Sequence, residues 1–344
     1  MSLIDEIREQ PETLGRLLAD RWAEVRAIAA ELRREEIDQV LVVARGSSDH
    51  AGLYAKYLFG IHNRLIVAMA MPSLFTRYHA PPRLDRTLVL GISQSGRSPD
   101  LVEALREARC QGAPTVVITN DPTSPLAREA RHVIDVAAGP ELAVAATKTY
   151  SGQLLAVAML SCAMAEDEER RGALDRVPEL VRAGLAHREV IARAAERYRY
   201  MDQGVALGRG YNYATVREWS LKLKELCYVV VAPYSSADFR HGPIAVVDRG
   251  FPVFAIVSEG PVADDLVELL QALRRDHDAE TFAISDREDA LAAARTGVRM
   301  PPAPEWLTPL ANIIPAQLFC EALTRVKGYD TERPRGLAKI TSTQ

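Results

Sequence analysis

The sequence has few cysteines, no strong charge imbalance and no long apolar run. Only four of its 344 residues are cysteine, and they stand far apart without the short spacings of a zinc site. We therefore interpret them as small buried hydrophobes in a reducing compartment rather than as a disulfide framework. They are Cys110, Cys162, Cys227 and Cys320.

Charge and hydropathy argue against two classes of partner. The formal net charge of −4, from 42 basic and 46 acidic residues, gives no basic surface for nucleic acid or an anionic membrane. The longest apolar runs, at residues 40–44 and 251–257, have the length of strands, so no segment is predicted to cross a membrane. The N-terminus lacks the pattern of a signal peptide. We therefore expect a cytoplasmic protein with no nucleic-acid and no membrane partner.

Short β-rich runs alternate with longer helical patterns. Continuous apolar runs lie at residues 40–44, 65–68, 87–90 and 115–118, as in strands buried on both faces, and helical spacing follows at residues 101–108. Such alternation predicts βαβ units, and hence an α/β fold with parallel, doubly wound sheets. A chain of this length is expected to form two domains.

The second half of the sequence repeats the first. Arg45-Gly46-Ser47 has a counterpart 164 residues later in Arg209-Gly210-Tyr211, and Leu101-Val102-Glu103 recurs 165 residues later as Leu266-Val267-Glu268. A third echo links residues 71–77 to 235–240. Chance similarity is the alternative, but three matches in one order favour duplication. The predicted segments are N-terminal helices at 1–34, a first domain at 35–170, a helical connector at 171–197, a second domain at 198–328 and a tail at 329–344.

Two small-polar loops are candidates for binding a phosphate. The strand at residues 87–92 leads into Ser93, Gln94 and Ser95, and Ser98 then stands at the N-cap of a helix. Free N–H groups at that helix end suit a dianionic phosphate, although an ordinary capped helix after a serine-rich turn is the alternative.

The second loop, at residues 46–50, contains Ser48 and follows the first strand. Neither loop has the glycine pattern of a dinucleotide site or of a P-loop, so a dinucleotide or ATP is not favoured. In the second half of the chain, the place of residues 93–95 is taken by the apolar and acidic residues 256–259. We therefore predict one phosphate site per chain.

Residues 214–228 predict a helix with one apolar and one charged side. The apolar side carries Val216, Trp219, Leu223 and Leu226. The charged side carries Glu218, Lys222 and Glu225, for which a solvated stripe is the alternative to a catalytic group. His241, in the next loop, is the residue type that titrates near neutrality, but a loop histidine is usually just exposed. Lys339 lies in a polar tail that we expect little core burial to hold down.

Six motifs, in chain order, resemble the isomerase half of glucosamine-6-phosphate synthase, the glutamine–fructose-6-phosphate aminotransferase. They are Gly46-Ser47-Ser48, Ser93-Gln94-Ser95-Gly96, the run from Glu141 to Lys148, Leu221-Lys222-Leu223-Lys224-Glu225, His241-Gly242-Pro243 and Arg335-Gly336-Leu337-Ala338-Lys339. The resemblance covers nearly the whole chain. It implies two flavodoxin-like sugar-isomerase (SIS) domains, five parallel strands in each sheet, and a homodimer with a shared active site.

The resemblance also implies roles for individual residues. It implies that Glu225 moves a proton between C1 and C2 of the sugar, with Lys222 as its partner on the helix face. His241 corresponds to the acid/base that opens the sugar ring in the neighbouring subunit's site, and Lys339 to a lysine on a closing tail. No metal and no cofactor is implied. Phosphate and sugar contacts are implied for Ser48, Ser93, Gln94, Ser95 and Ser98, and a backbone contact for Val144.

Two departures from the synthases shape the expected reaction. The synthases begin with a glutamine-hydrolysing domain, whereas this chain has Ser2 and no residues for such a domain, so we expect it not to take ammonia from glutamine. Arg97 replaces the usual acidic residue, and this variant resembles stand-alone glucosamine-6-phosphate deaminases of the SIS type. We therefore expect conversion of glucosamine 6-phosphate to fructose 6-phosphate and ammonia. The alternatives are a fructosamine-type 6-phosphate deglycase, a galactosamine-6-phosphate deaminase and a non-catalytic sugar-phosphate sensor.

Overall fold

The structure is a computed structural model and describes residues 2–339. Helices and strands alternate through the first half of the chain. In order they are α1 (Leu3–Arg8), α2 (Gln10–Leu32), β1 (Gln39–Ala44), α3 (Ser47–His62), β2 (Ile66–Met69), α4 (Ser73–Thr76), β3 (Thr87–Ser93), α5 (Pro99–Cys110), β4 (Thr115–Thr119), α6 (Pro125–Glu129), β5 (His132–Asp135), α7 (Lys148–Ala165) and α8 (Glu168–Leu174).

The second half repeats this alternation after two further helices. Short 3-10 helices at Pro243–Val246 and Glu305–Leu307 interrupt the pattern. The regular elements are α9 (Val177–Leu185), α10 (Arg188–Arg197), β6 (Gln203–Leu207), α11 (Asn212–Cys227), β7 (Val230–Tyr234), α12 (Ser236–Arg240), β8 (Pro252–Val257), α13 (Ala263–His277), β9 (Glu280–Ser285), α14 (Glu288–Ala293), β10 (Thr296–Arg299) and α15 (Thr308–Val326).

The described chain forms two compact units, each with one parallel sheet. The first unit contains residues 12–141, 148–176 and 338–339, and the second contains residues 2–11, 142–147 and 177–337. The strand orders, β2-β1-β3-β4-β5 and β7-β6-β8-β9-β10, are the same doubly wound order. The predicted α/β fold with two duplicated, parallel, doubly wound sheets is therefore confirmed.

Strand position decides how far each apolar run is buried. Every residue of β3 is buried, as expected for a strand inside a parallel sheet with helices on both faces. The run at residues 65–68 behaves differently, because β2 is an edge strand and Ile66 is 73% exposed. The prediction that this run is buried on both faces was therefore wrong.

An aromatic cluster fixes the rotation of α11 within the second unit. Trp219, on the apolar side of α11, lies 5.0 Å from Phe254 of β8 and 5.8 Å from Phe319 of α15, measured between ring centroids. Edge-on aromatic contacts of this kind add to the free energy gained from burial alone. Because Trp219 is held inward in this way, Glu218 and Lys222 occupy a defined position on the helix.

The fold bears on two predictions, the burial of the cysteines and the absence of a membrane-spanning segment. Cys162, Cys227 and Cys320 are buried, whereas Cys110, the last residue of α5, is exposed, so the prediction of four buried thiols was wrong for Cys110. Among residues 2–339, no helix combines the length and the apolar character that crossing a membrane requires.

Candidate active site

The two small-polar loops open at the same edge of the first sheet. β1 and β3 are parallel neighbours with Ala44 opposite Ile92, so the loops that follow them begin side by side. This is the place where the strand order reverses, and open α/β sheets bind ligands at such a point. The expectation of two loops at neighbouring strand ends is therefore met.

Gly96 gives the loop after β3 its tight path. Its φ of +59° lies in the left-handed region, and a Cβ there would stand 2.1 Å from Ser124 Oγ, so only glycine fits. Ser93 Oγ accepts a hydrogen bond from the Gly96 N–H at 3.1 Å, and Ser95 Oγ accepts one from Arg97 N–H at 3.4 Å. The serines thus shape the loop while their hydroxyl protons can still be donated to a ligand.

The start of α5 leaves Ser98 without a capping role for its side chain. Ser98 stands at the N-cap with Pro99 in the first turn, as predicted, but its hydroxyl makes no capping hydrogen bond. Asp100 instead accepts from the Leu101 N–H at 3.0 Å and pairs with Arg45 at 2.9 Å. Gln94, Ser95 and Ser98 are half-buried.

Ser48 is fixed by a residue that the sequence did not suggest. It lies buried in the first turn of α3, and Gln153 of α7 donates its Nε2–H to Ser48 Oγ at 3.0 Å. The Ser48 hydroxyl is thereby oriented as a donor.

Replacing Ser93 or Ser95 with alanine is expected to weaken binding of a phosphorylated sugar. Each lost hydrogen bond to a charged group is worth about 1.5–3 kcal/mol. Calorimetric titration should show little loss for the unphosphorylated analogue. Ser95→Ala is the cleaner variant, because Ser93→Ala also removes the acceptor for the Gly96 N–H. Equal weakening for both analogues would mean that these serines serve the loop rather than the phosphate.

The charged side of α11 is buried in the second unit. Lys222 Nζ lies 3.2 Å from Glu218 Oε1 and 2.6 Å from Glu225 Oε2. The exposed fractions of the side chains are 0% for Glu218, 3% for Lys222 and 23% for Glu225. The alternative of a solvated stripe is therefore wrong. Of the two carboxylates in this group, that of Glu225 is the one that solvent can reach.

Lys222 remains charged in this environment. Burial disfavours its ammonium, but the nearby carboxylates of Glu218 and Glu225 outweigh that effect and raise the pKa of Lys222 above its ordinary value. A lysine held protonated cannot act as a base. Lys222 can, however, orient Glu225 and stabilise negative charge beside it.

The segment that contains Val144 is held by a glutamate of α1. Within the second unit, Val144 is half-buried, and the fully buried Glu6 accepts hydrogen bonds from the N–H groups of Leu142 and Ala143. Glu6 lies outside every motif that the sequence offers as a candidate site. A signal was present, since an acidic residue next to Ile7 and one turn from Leu3 falls on the apolar side of the helix.

His241 is exposed at the C-terminal end of α12. Gly242 follows with a φ of +130°, which turns the chain directly after the histidine. Within residues 2–339, its imidazole has no hydrogen bond or ion pair. Its exposure is compatible with both predicted alternatives, a solvated loop residue and a group offered to a neighbouring subunit.

The start of the C-terminal tail is better anchored than the sequence indicated. Thr331 and Pro334 are buried, and the Arg335 guanidinium lies over the rings of Tyr228 and Tyr329, at 4.3 and 4.9 Å from the ring centroids. Burial in this part of the tail is therefore greater than expected at Thr331 and Pro334, whereas Asp330, Arg333 and Arg335 are exposed. Residues 336–338 are exposed.

Lys339 follows this exposed stretch. Its Nζ lies 2.6 Å from Glu141 Oε2, in the first unit. Of the remaining predicted residues, the five serine and glutamine side chains lie in the first unit, whereas Val144, Lys222, Glu225 and His241 lie in the second. The described residues include no cluster of His, Cys, Asp and Glu that could hold a metal ion.

The counterpart of the phosphate loop in the second unit is filled by a side chain. Gly210 and Gly260 follow β6 and β8 and stand 164 residues after Gly46 and Gly96. The Glu305 carboxylate lies 2.9 and 2.6 Å from the positions that a Cβ would take at Gly210 and Gly260. Burial raises the pKa of Glu305.

Comparisons with known proteins agree with the fold and identify the family. The chain matches the SIS domain family twice, at residues 32–163 and 202–324. It is 34% identical to the glutamine–fructose-6-phosphate aminotransferase (isomerizing) of Thermus thermophilus and 35% identical to that of Mycolicibacterium smegmatis. Each match covers 99% of this chain but only 59% and 57% of the relative, so the chain spans a little over half the length of these proteins.

Two solved structures are similar over almost the full length. An inferred phosphosugar isomerase from Silicibacter pomeroyi is 37% identical, with a TM-score of 0.89 over 96% of this chain and 100% of that one. The C-terminal domain of glucosamine-fructose-6-phosphate aminotransferase from Francisella tularensis is 26% identical, with a TM-score of 0.88 over 96% and 98% of the two chains. With two matched regions that lie on its two duplicated sheets, this chain belongs to the SIS domain family.

Proposed function

We propose that this chain converts glucosamine 6-phosphate and water to fructose 6-phosphate and ammonia. His241 opens the sugar ring, which exposes an aldehyde at C1. Glu225 removes the proton from C2 and returns it to C1, while the oxygen on C1 gains a proton and the nitrogen on C2 loses one, so C1 becomes an alcohol and the amine at C2 becomes an imine. Water then hydrolyses the imine to the ketone and releases ammonia. The loops around Ser48 and residues 93–98 bind the phosphate.

The buried charge group on α11 is the observation that supports an enzyme best. Proton transfer next to a carbonyl needs a base that is accessible to substrate and held in one orientation. Glu225 has both properties, since its side chain is 23% exposed and paired with Lys222 at 2.6 Å. A sensor that only binds sugar phosphate would need the serine loops but not this arrangement. In the second unit, the Glu305 side chain lies beside Gly210 and Gly260, where the counterpart of the phosphate site would be. This supports one phosphate site per chain.

Release of ammonia, or of the free amine from a glycated compound, is measured across a panel of sugar phosphates to test the proposal. The panel contains glucosamine 6-phosphate, galactosamine 6-phosphate and fructosamine-type 6-phosphates, so it separates the proposed deaminase from the two alternative substrates. The glucosamine compound is expected to react fastest. The proposal is wrong if glucosamine 6-phosphate releases no ammonia, and a sensor is indicated if no compound releases either ammonia or a free amine while calorimetry still detects binding.

A homodimer with a shared active site is part of this proposal. We expect that mixing an inactive His241→Ala chain with an inactive Glu225→Gln chain restores activity, because one site of each hybrid dimer then collects both native groups. Random exchange in a two-fold dimer makes that about a quarter of all sites. Activity of the mixture, measured after subunit exchange has been demonstrated, checks this. Exchange without recovery would place His241 in its own chain's site or outside the reaction.

A further inference from the structure

A fully buried carboxylate holds the lysine of the C-terminal tail. Glu141 lies seven residues before the start of α7 at Lys148, and the exposed fraction of its side chain is 0%, compared with 24% for Lys339. A carboxylate at such a position is costly unless it is hydrogen-bonded and paired. Lys339 Nζ, at 2.6 Å from Glu141 Oε2, is one such partner.

The start of α7 fixes Glu141 itself. Glu141 Oε1 accepts the Thr149 N–H at 3.0 Å, and Oε2 accepts the Thr149 hydroxyl at 2.7 Å. The first turn of a helix also favours negative charge, because its N–H groups point outward. The carboxylate therefore has a position set by the helix and does not depend on Lys339 for its orientation.

The tail cannot set the position of Lys339 in the same way. Residues 336–338 are exposed, and Gly336 has a φ of +66°, so the backbone before the lysine has little support. A long, flexible side chain on such a segment loses much conformational entropy when it is held in one place. Within this pair, Glu141 is the partner whose position is set by hydrogen bonds from a regular helix.

We propose that Glu141 is a positioning residue that holds the Lys339 ammonium for the reaction. The proposal rests on the proposed function and adds to it a role for Lys339, which the family resemblance places on a tail that closes over the sugar. The opposite assignment is a resting contact that Lys339 must leave before it reacts. The two assignments predict opposite changes in turnover, since loss of a positioning contact slows turnover and loss of a resting contact speeds it.

Glu141→Gln tests this assignment, because the amide keeps the shape and loses the charge. We expect kcat to fall about 10- to 100-fold, as for the loss of a charged hydrogen bond, with KM little changed. In a Lys339→Ala background the same substitution should cause no further loss in kcat. Glu141→Asp keeps the charge but withdraws it by one methylene, so its kcat should lie between those of wild type and Glu141→Gln. It replaces Glu141→Gln as the test if the glutamine variant does not fold.

Glu129→Gln is the matched control. Glu129 is an ion-paired glutamate of the same unit, with a side chain 13% exposed and contacts to Arg106 and Arg109. It should keep wild-type kcat even if its thermal midpoint falls. A kcat for Glu141→Gln equal to or above wild type, or full additivity with Lys339→Ala, overturns the proposal.

Chemical labelling separates this proposal from the proposed reaction. Acetic anhydride acylates lysines, and mass spectrometry of peptides gives the rate at Lys339 without any turnover. A paired ammonium reacts slowly, so Glu141→Gln should raise the rate at Lys339 severalfold and Glu129→Gln should not. Faster labelling without ammonia release from any sugar would reject the reaction and keep the pairing. An unchanged labelling rate overturns the pairing even if the enzyme is active.

Discussion

Replacing Glu225 with glutamine is expected to abolish turnover while leaving sugar-phosphate binding nearly intact. The amide keeps the size of the side chain and still offers an oxygen to Lys222 Nζ, so the local structure should persist. It cannot accept the proton from C2 at neutral pH. General base catalysis supplies about 100- to 10,000-fold in rate, and a loss of that size is expected in kcat. Ammonia release and calorimetric titration together check the two halves of this prediction.

Glu218→Gln is the comparison that makes the result specific. Glu218 is the other carboxylate on Lys222, and its side chain is fully buried, so the same charge is removed from the same lysine. We expect this variant to lose thermal stability, because a buried charge pair is broken, and to lose less kcat than Glu225→Gln. Equal losses of kcat would mean that the charge balance around Lys222, rather than a base at Glu225, limits the reaction.

The fold could be predicted from the sequence because local patterns determine most of it. The run at residues 87–92 is apolar throughout, and β3 is buried throughout. The offset of 164 residues between Gly46 and Gly210 indicated a duplication, and both glycines follow the first strand of their sheets. Burial of β2 could not be predicted in this way. Whether a strand lies at an edge depends on the strand order, which its own residues do not encode.

The candidate site was predicted less completely, because its supporting contacts are long-range. Glu141 and Lys339 are 198 residues apart, Leu142 and Glu6 are 136 apart, and Gln153 is 105 residues from Ser48. Helical or strand periodicity carries no information about pairs of this kind. The burial of Glu218 and Lys222 was undetermined for the same reason, since a charged helix side faces solvent or protein according to what packs over it.

Removal of the tail after Gly336 is expected to abolish turnover with a fall of only a few degrees in the thermal midpoint. The anchors of the tail lie before the cut, where Arg335 stacks on Tyr228 and Tyr329 and its N–H donates to Tyr228 Oη at 2.8 Å. The truncation removes Lys339 and leaves Glu141 with its two bonds from Thr149. The free energy of unfolding should therefore fall by about the contribution of one hydrogen bond to a charged group.

Lys339→Ala should reproduce most of the loss of turnover, because the other residues that the truncation removes have no assigned role. Its amine can act in two ways, as a nucleophile that forms an imine with the sugar or as a fixed positive charge beside the developing oxyanion. Borohydride reduction in the presence of substrate distinguishes them, since only an imine gives a stable adduct at Lys339. An ion pair with Glu141 favours the fixed charge, so we expect no adduct. A truncated protein that releases ammonia at the wild-type rate would remove Lys339 from the reaction altogether.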